Sequence, residues 1–131
     1  MAKIKKTTLL VLGGTGFIGR HLIAKSLNRG WLVTSASLSL PKKKIRNKKV
    51  KYYKVNLKSL TSVKKKLNKP FSYIINLAGY INHSNLKKDY NKITAEHFGV
   101  VKNIIRSVPR DNLKKFVQVG SSDEYGLSKA P

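Results

Sequence analysis

The stretch Thr7-Thr-Leu-Leu-Val-Leu-Gly-Gly-Thr-Gly-Phe-Ile-Gly-Arg20 changes character twice in quick succession. An apolar run of strand length, Leu9 to Leu12, ends abruptly in glycine. Gly13, Gly16 and Gly19 then recur every third residue, and an apolar helical pattern begins at Phe17. A tight turn after a strand needs a residue that tolerates positive φ, and bare backbone lets a pyrophosphate come close. The free N–H groups and positive dipole end of the following helix then hold the anion. Gly13, Gly14, Thr15, Gly16, Phe17, Ile18 and Gly19 are therefore candidate phosphate-cradle residues. A glycine triplet alone is weak evidence of this, and one framed by strand and helix is good evidence. An ordinary strand–turn–helix without ligand is the alternative.

Outward from the turn, Ile18, Leu22, Ile23 and Leu27 keep helical spacing, and Asn28-Arg29-Gly30 supplies a stop. Trp31 to Ala36 reads as a second strand, with Trp31 in the core or at the sheet edge. Pro41 ends the stretch that follows. From Lys42 to Lys51 seven of ten residues are basic, a composition that suits an exposed loop. Val50 to Val55 reads as a third strand. Ser59 to Lys69 reads as a short helix with Leu60, Val63 and Leu67 on one face, closed by Pro70. Phe71 to Leu77 is a buried strand leading into Ala78-Gly79. A polar loop runs to about Lys88. Ile93, His97, Val101, Ile104, Ile105 and Val108 then mark a long amphipathic helix stopped by Pro109. Phe116 to Val119 makes a fifth strand, ending in Gly120-Ser121-Ser122.

Strands alternating with helices, the strands themselves continuously apolar, indicate a parallel sheet covered on both faces. Right-handed crossovers give an α/β, Rossmann-type doubly wound sheet of about five strands in order 3-2-1-4-5. Ligands of such sheets sit beyond the carboxyl ends of the strands. Gly13–Gly19, Ser35–Ser39, Asn76–Tyr80 and Gly120–Tyr125 converge there.

The length of 131 residues allows a single core, and no apolar stretch is long enough to span a bilayer. Absence of cysteine excludes disulfides and cysteine-ligated metals, and cytoplasm is the default location. The net charge is +23, and no Asp or Glu precedes Asp89. Such asymmetry fits a polyanionic partner. Against that, 23 of the 28 basic residues are Lys, whereas Arg is favoured for bidentate phosphate and base recognition. Solvated faces are the expected meaning, and nucleic acid is not expected to be the main partner. No His, Asp and Glu stand at metal-ligand spacing, and His21 and His83 are isolated. His97, on the apolar helix face, is expected to be a partly buried, satisfied histidine.

The convergent stretches resemble the extended short-chain dehydrogenase/reductase family, the NAD-dependent epimerases and dehydratases that act mostly on nucleotide sugars. The resemblance runs from Leu9 to Gly126. Gly-Gly-Thr-Gly-Phe-Ile-Gly matches the family's dinucleotide signature almost letter for letter. Asn56-Leu57 stands where the family has an Asp and an apolar residue at the adenine. Asn76-Leu77-Ala78-Gly79 resembles the segment beneath the pyrophosphate and ribose, which makes Leu77, Ala78 and Gly79 candidate cofactor contacts. Ser121-Ser122-Asp123-Glu124-Tyr125-Gly126 resembles the Ser/Thr-rich turn ending in Tyr-Gly.

Three departures qualify what the resemblance implies. The acid that should grip the adenosine ribose would fall near Ser37, where no acid stands. With Lys42–Lys44 near in sequence, NAD or NADP is the expected cofactor, and the two stand about even. Asn56 replaces an Asp but keeps hydrogen-bonding capacity. The family's catalytic Tyr-x-x-x-Lys is matched in letters by Tyr125 and Lys129, with Ser121 as the candidate partner of the reacting hydroxyl. Tyr125 follows Ser121 too closely for the family pattern, so the working pair is expected beyond Pro131. Asp123 and Glu124 lie one position out of register with the acid pair of the dehydratases.

Residues 1–131 are thus expected to form one NAD(P)-binding Rossmann domain, truncated relative to the family and without its substrate domain. Nucleotide sugar would bind only with the missing part, and a homodimer is compatible with the pattern. A non-catalytic nucleotide sensor and a polyanion-binding protein led by Lys42–Lys51 are the alternatives.

Overall fold

A computed structural model describes residues 5–79 and 86–120. Five parallel strands form one sheet in the order β3-β2-β1-β4-β5, the order expected from the sequence. They are β1 (Thr8–Leu12), β2 (Leu32–Ser37), β3 (Val50–Lys54), β4 (Tyr73–Asn76) and β5 (Lys115–Gln118). β1 is central, with Leu9 opposite both Val33 and Tyr73.

Alternation along the strands sends neighbouring side chains to opposite faces. Leu10, Leu12, Ala36, Ile74 and Val55 point to one face, under α2 (Leu60–Leu67) and α4 (Val100–Ser107). Leu9, Val11, Val33 and Val50 point to the other, under α1 (Phe17–Asn28) through Ile23. Trp31 packs in this second cluster and stacks on Tyr73 with centroids 5.1 Å apart.

Local chemistry sets the element ends. Ser59 caps α2 by accepting the Ser62 N–H through its side chain, satisfying one of the helix's orphan donors. Gly30, at φ 75°, turns the chain after α1 towards β2. The crossing from β2 to β3 holds only one 3-10 turn, Lys43–Ile45, within the basic stretch. Arg46 Nε donates to the Pro41 carbonyl at 2.8 Å and pins that loop.

Two readings change. The last helical segment begins earlier than expected, with α3 (Leu86–Thr94) running through a π turn, Ala95–Gly99, into α4. A π turn contains an additional residue, so the buried face shifts out of the regular α spacing. Val100, Ile104, Ser107 and Val108 are buried, whereas Ile105 and His97 are exposed. His97 is therefore not on the buried face. β5 is also less buried than expected: among the described residues it stands at the sheet edge, and Val117 and Val119 are exposed. Among the described residues, no helix is long and apolar enough to cross a membrane.

Candidate functional site

The glycines of the first turn meet different demands. Gly13 has φ 77°, and a Cβ there would lie 3.0 Å from the Ala78 nitrogen. Positive φ and close approach both require glycine, and the contact joins the turn to the chain leaving β4. A Cβ on Gly14 would run into Ser35 Oγ beneath it. On Gly19 it would stand 2.6 Å from Gly14 Cα, so this glycine lets α1 lie against the turn.

Gly16 is different. It is exposed, its φ of −72° suits any residue, and a Cβ would meet only the Gly13 carbonyl, at 3.4 Å. Among the described residues no neighbouring group demands glycine here. The space it leaves open lies at the start of α1, where no side chain of the described residues caps the helix. An uncapped first turn presents N–H donors and positive partial charge to an anion. Thr15 is half-buried beside it, and Phe17 and Ile18 are exposed at 72% and 61%.

Asn76 organises the second convergent stretch. It is fully buried at the end of β4, a position where an unpaired amide would be costly. Its Nδ2 donates to Gln118 Oε1 at 2.8 Å, and its Oδ1 accepts the Ala78 N–H at 3.0 Å. The amide thereby ties β5 to β4 and fixes the turn that carries Leu77, Ala78 and Gly79 past Gly13. The π turn lies beside this region. A Cβ on Gly79 would be 3.1 Å from His97 Cε1, and Glu96 accepts from Lys58 Nζ at 2.8 Å.

At the β3 end, Asn56 Oδ1 accepts the Lys58 N–H and its own N–H donates to Ser62 Oγ. Asn56 is exposed while Leu57 is buried in the core under α2. Of the pair, Asn56 is the one whose side chain faces solvent at the carboxyl edge.

At the β2 end, Ser37 is only 6% exposed, and its Oγ has no hydrogen-bond partner among the described residues. It faces the α1 side, as Ser35 does. On this side a cleft of about 560 Å³ opens between α1 and the β2–β3 loop. Gly14, Thr15, Arg20, Ile23, Leu40 and Lys42 are among the residues that line it.

The carboxyl edge thus assembles Gly13–Gly19, Ser37, Asn56 and Leu77–Gly79. Ser121, Tyr125 and Lys129, with Asp123 and Glu124, lie outside the described residues, as does His83. Arg20, Gln118 and Glu96 belong to this edge but were not singled out from sequence. A lone Asn closing an apolar strand was a legible signal; the Gln118 partner was not.

Residues 9–131 match the sequence profile of a family described as the NAD dependent epimerase/dehydratase family. A search of curated proteins by sequence found no match. Among solved structures, a UDP-galactose 4-epimerase superposes with a TM-score of 0.75 at 21% identity, over 95% of this chain and 41% of that one. A short-chain dehydrogenase/reductase superfamily protein from Agrobacterium tumefaciens with bound NAD gives 0.73 at 16% identity, over 91% and 34%. The Thermus thermophilus UDP-glucose 4-epimerase complex with NAD gives 0.63 at 21% identity, over 77% and 33%. The chain therefore spans about two fifths of the epimerase's length, and a third of the other two.

Proposed function

The chain belongs to the NAD dependent epimerase/dehydratase family, and on that premise we propose that residues 1–131 act as its nicotinamide dinucleotide-binding domain. The pyrophosphate would lie over Gly13–Gly19 against the uncapped start of α1. Leu77, Ala78 and Gly79 would pass beneath the cofactor, with Ser37 and Asn56 at its adenosine end. One observation carries this reading: Gly16 is exposed where no atom of the described residues requires glycine, which is the space a close-lying phosphate would need.

The cofactor would supply a reversible hydride acceptor. The chain's part is to orient it: Asn76 holds the β4 turn, and Gly19 brings α1 close enough to present its amides. Ser121, Tyr125 and Lys129 are the candidates for handling a substrate proton, by resemblance to the family's hydroxyl-binding and acid/base positions. A nucleotide sugar is the proposed substrate class of the complete enzyme. Because the chain spans about two fifths of the epimerase's length, it is expected by itself to bind cofactor with little or no turnover.

Calorimetric titration of the chain with NAD and with NADP tests this, and no binding of either at millimolar concentration overturns it. Two glycine variants separate binding from folding. Gly16→Ala is expected to keep stability within about 1 kcal/mol, as a helix N-cap exchange would, while weakening binding roughly tenfold or more. Gly19→Ala is expected to lower stability by about 1–3 kcal/mol through overpacking. Binding unchanged in Gly16→Ala would remove the central support.

A further inference from the structure

We propose that the chain also binds nucleic acid, holding the phosphate backbone along the lysine-rich border of the sheet at β3. The inference does not rest on the cofactor reading and concerns another part of the molecule. Of the chain's 28 basic residues, 13 lie between Lys42 and Lys69, with no Asp or Glu among them. The fold gathers this segment into one border, made of the β2–β3 loop, β3 itself and α2. β3 is the outermost strand on that side. Among the described residues, one of these cations has a carboxylate partner, Lys58 with Glu96.

The cations also converge. Lys49, Lys51 and Lys69 line a second cleft, of about 160 Å³, beside Thr8 and Leu32. Thr8 and Leu32 begin their strands, so this cleft lies at the end of the sheet opposite the glycine turn. Lys66 comes in from α2. The hydrogen bond from Lys69 first, then the charges of Lys69, Lys51 and Lys66, hold the Tyr53 hydroxyl below its usual pKa against the effect of burial. Like charges brought together in this way repel and burden the folded state. Lysines on an edge strand discourage pairing between copies, but that role asks for charge on β3 alone. Here the flanking loop and helix carry it as well. A row of phosphates relieves the repulsion and releases its own counterions on binding.

Twelve of the 13 cations are Lys, and the exception, Arg46, has its Nε on the Pro41 carbonyl. Lysine is a point charge on a flexible stem and suits a backbone, whereas base readout favours the forked guanidinium. The contact is therefore with phosphate and is indifferent to sequence. A membrane surface fits less well. Ile45 is the only large apolar side chain exposed within the segment, and interfacial binding needs an apolar face to bury.

The chain's charge of +23 would draw in any polyanion, so the test must separate position from bulk charge. The whole chain is titrated with a fluorescent single-stranded DNA of mixed sequence over a range of salt. Affinity is expected to fall steeply as salt rises and to be unaltered by a change of base sequence. The Lys49→Gln, Lys51→Gln, Lys66→Gln triple variant is expected to bind about tenfold more weakly or worse, with a salt slope shallower by about 2. Removing the same charge beside β5, in Arg110→Gln, Lys114→Gln, Lys115→Gln, is expected to weaken binding less than about threefold. Equal losses in the two variants overturn the inference. So do an absence of DNA binding at low salt and tighter binding to phosphatidylserine vesicles than to the DNA. Amine acetylation of the unsubstituted chain needs no variant, so misfolding of a substituted chain leaves the inference open to refutation. DNA is expected to protect Lys49, Lys51 and Lys66 and to leave Lys114 and Lys115 reactive; even protection of all five overturns it.

Discussion

On the face under α2 and α4, Leu10, Leu12, Val63, Leu67, Ile74, Val100 and Ile104 are all but inaccessible to solvent. On the face under α1, Leu9, Val11 and Val33 are as deeply buried, but the cover stops short. Leu27, Trp31 and Tyr52 are half-buried, and Leu40 and Ile45 are exposed at the rim of a cleft. The same strands supply both faces, so strand composition does not account for the contrast. Crossovers do. Parallel strands are usually joined by a helix that packs back on the sheet. Here β1 and β2 are joined by α1, but β2 and β3 only by a basic loop with one 3-10 turn. The closed face contributes stability, and the open face leaves room for a ligand beside the glycine turn.

The largest effect that tests this contrast is in the two cores. Ile104→Ala, in the closed face, is expected to cost about 3–5 kcal/mol, near the top of the range for such truncations. Ile23→Ala, beside the cleft, is expected to cost nearer 2 kcal/mol, because its surroundings are already partly open. Urea denaturation of both variants checks the difference, and equal costs would show that the faces are equally closed in energetic terms.

A smaller effect concerns the helix that closes the better-covered face. Ser59→Ala removes the α2 cap and is expected to cost about 1 kcal/mol, with cofactor affinity unchanged. A matching loss of affinity would tie the closed face to the site more tightly than its geometry does.

The smallest effect appears only in alkali. Tyr53 packs against the closed-face core, and its pKa lies below the usual tyrosine value, first because Lys69 Nζ donates to its oxygen at 2.8 Å. The nearby positive charges act in the same direction, while burial opposes them. A lowered folded pKa means the folded state releases this proton first. The resulting stability is fully present only above the unfolded tyrosine pKa and is lost as pH falls through the folded value, so it is absent at neutral pH. Spectroscopic titration that follows Tyr53 should show it ionising at lower pH in the original chain than in Lys69→Met.

The sheet order and glycine turn were legible because their signals are local and strong. Leu9–Leu12 followed by Gly13 gives a strand and a turn whatever lies elsewhere. Strands separated by helical stretches leave few topologies once crossovers are right-handed. The β2–β3 loop was legible as basic and exposed, but not the cleft, which depends on what fails to cover the sheet. Arg20 and Lys42 stand 22 positions apart, and only the fold brings them to one opening. The pairing of Asn76 with Gln118 likewise needed the β4–β5 register. The helix face was misplaced for another reason: periodicity assumes one geometry throughout, and a π turn breaks it.

That π turn, Ala95–Gly99, bears on how the chain can change length. A packed helix ordinarily resists insertion, since one added residue rotates everything beyond it by about 100° at 3.6 residues per turn. Widening a single turn takes up the added residue locally. Val100 and Ile104 then keep their places in the core while Glu96 and His97 are directed to the carboxyl edge. In genetic terms, the site's rim can gain or lose a residue without the sheet having to be packed again.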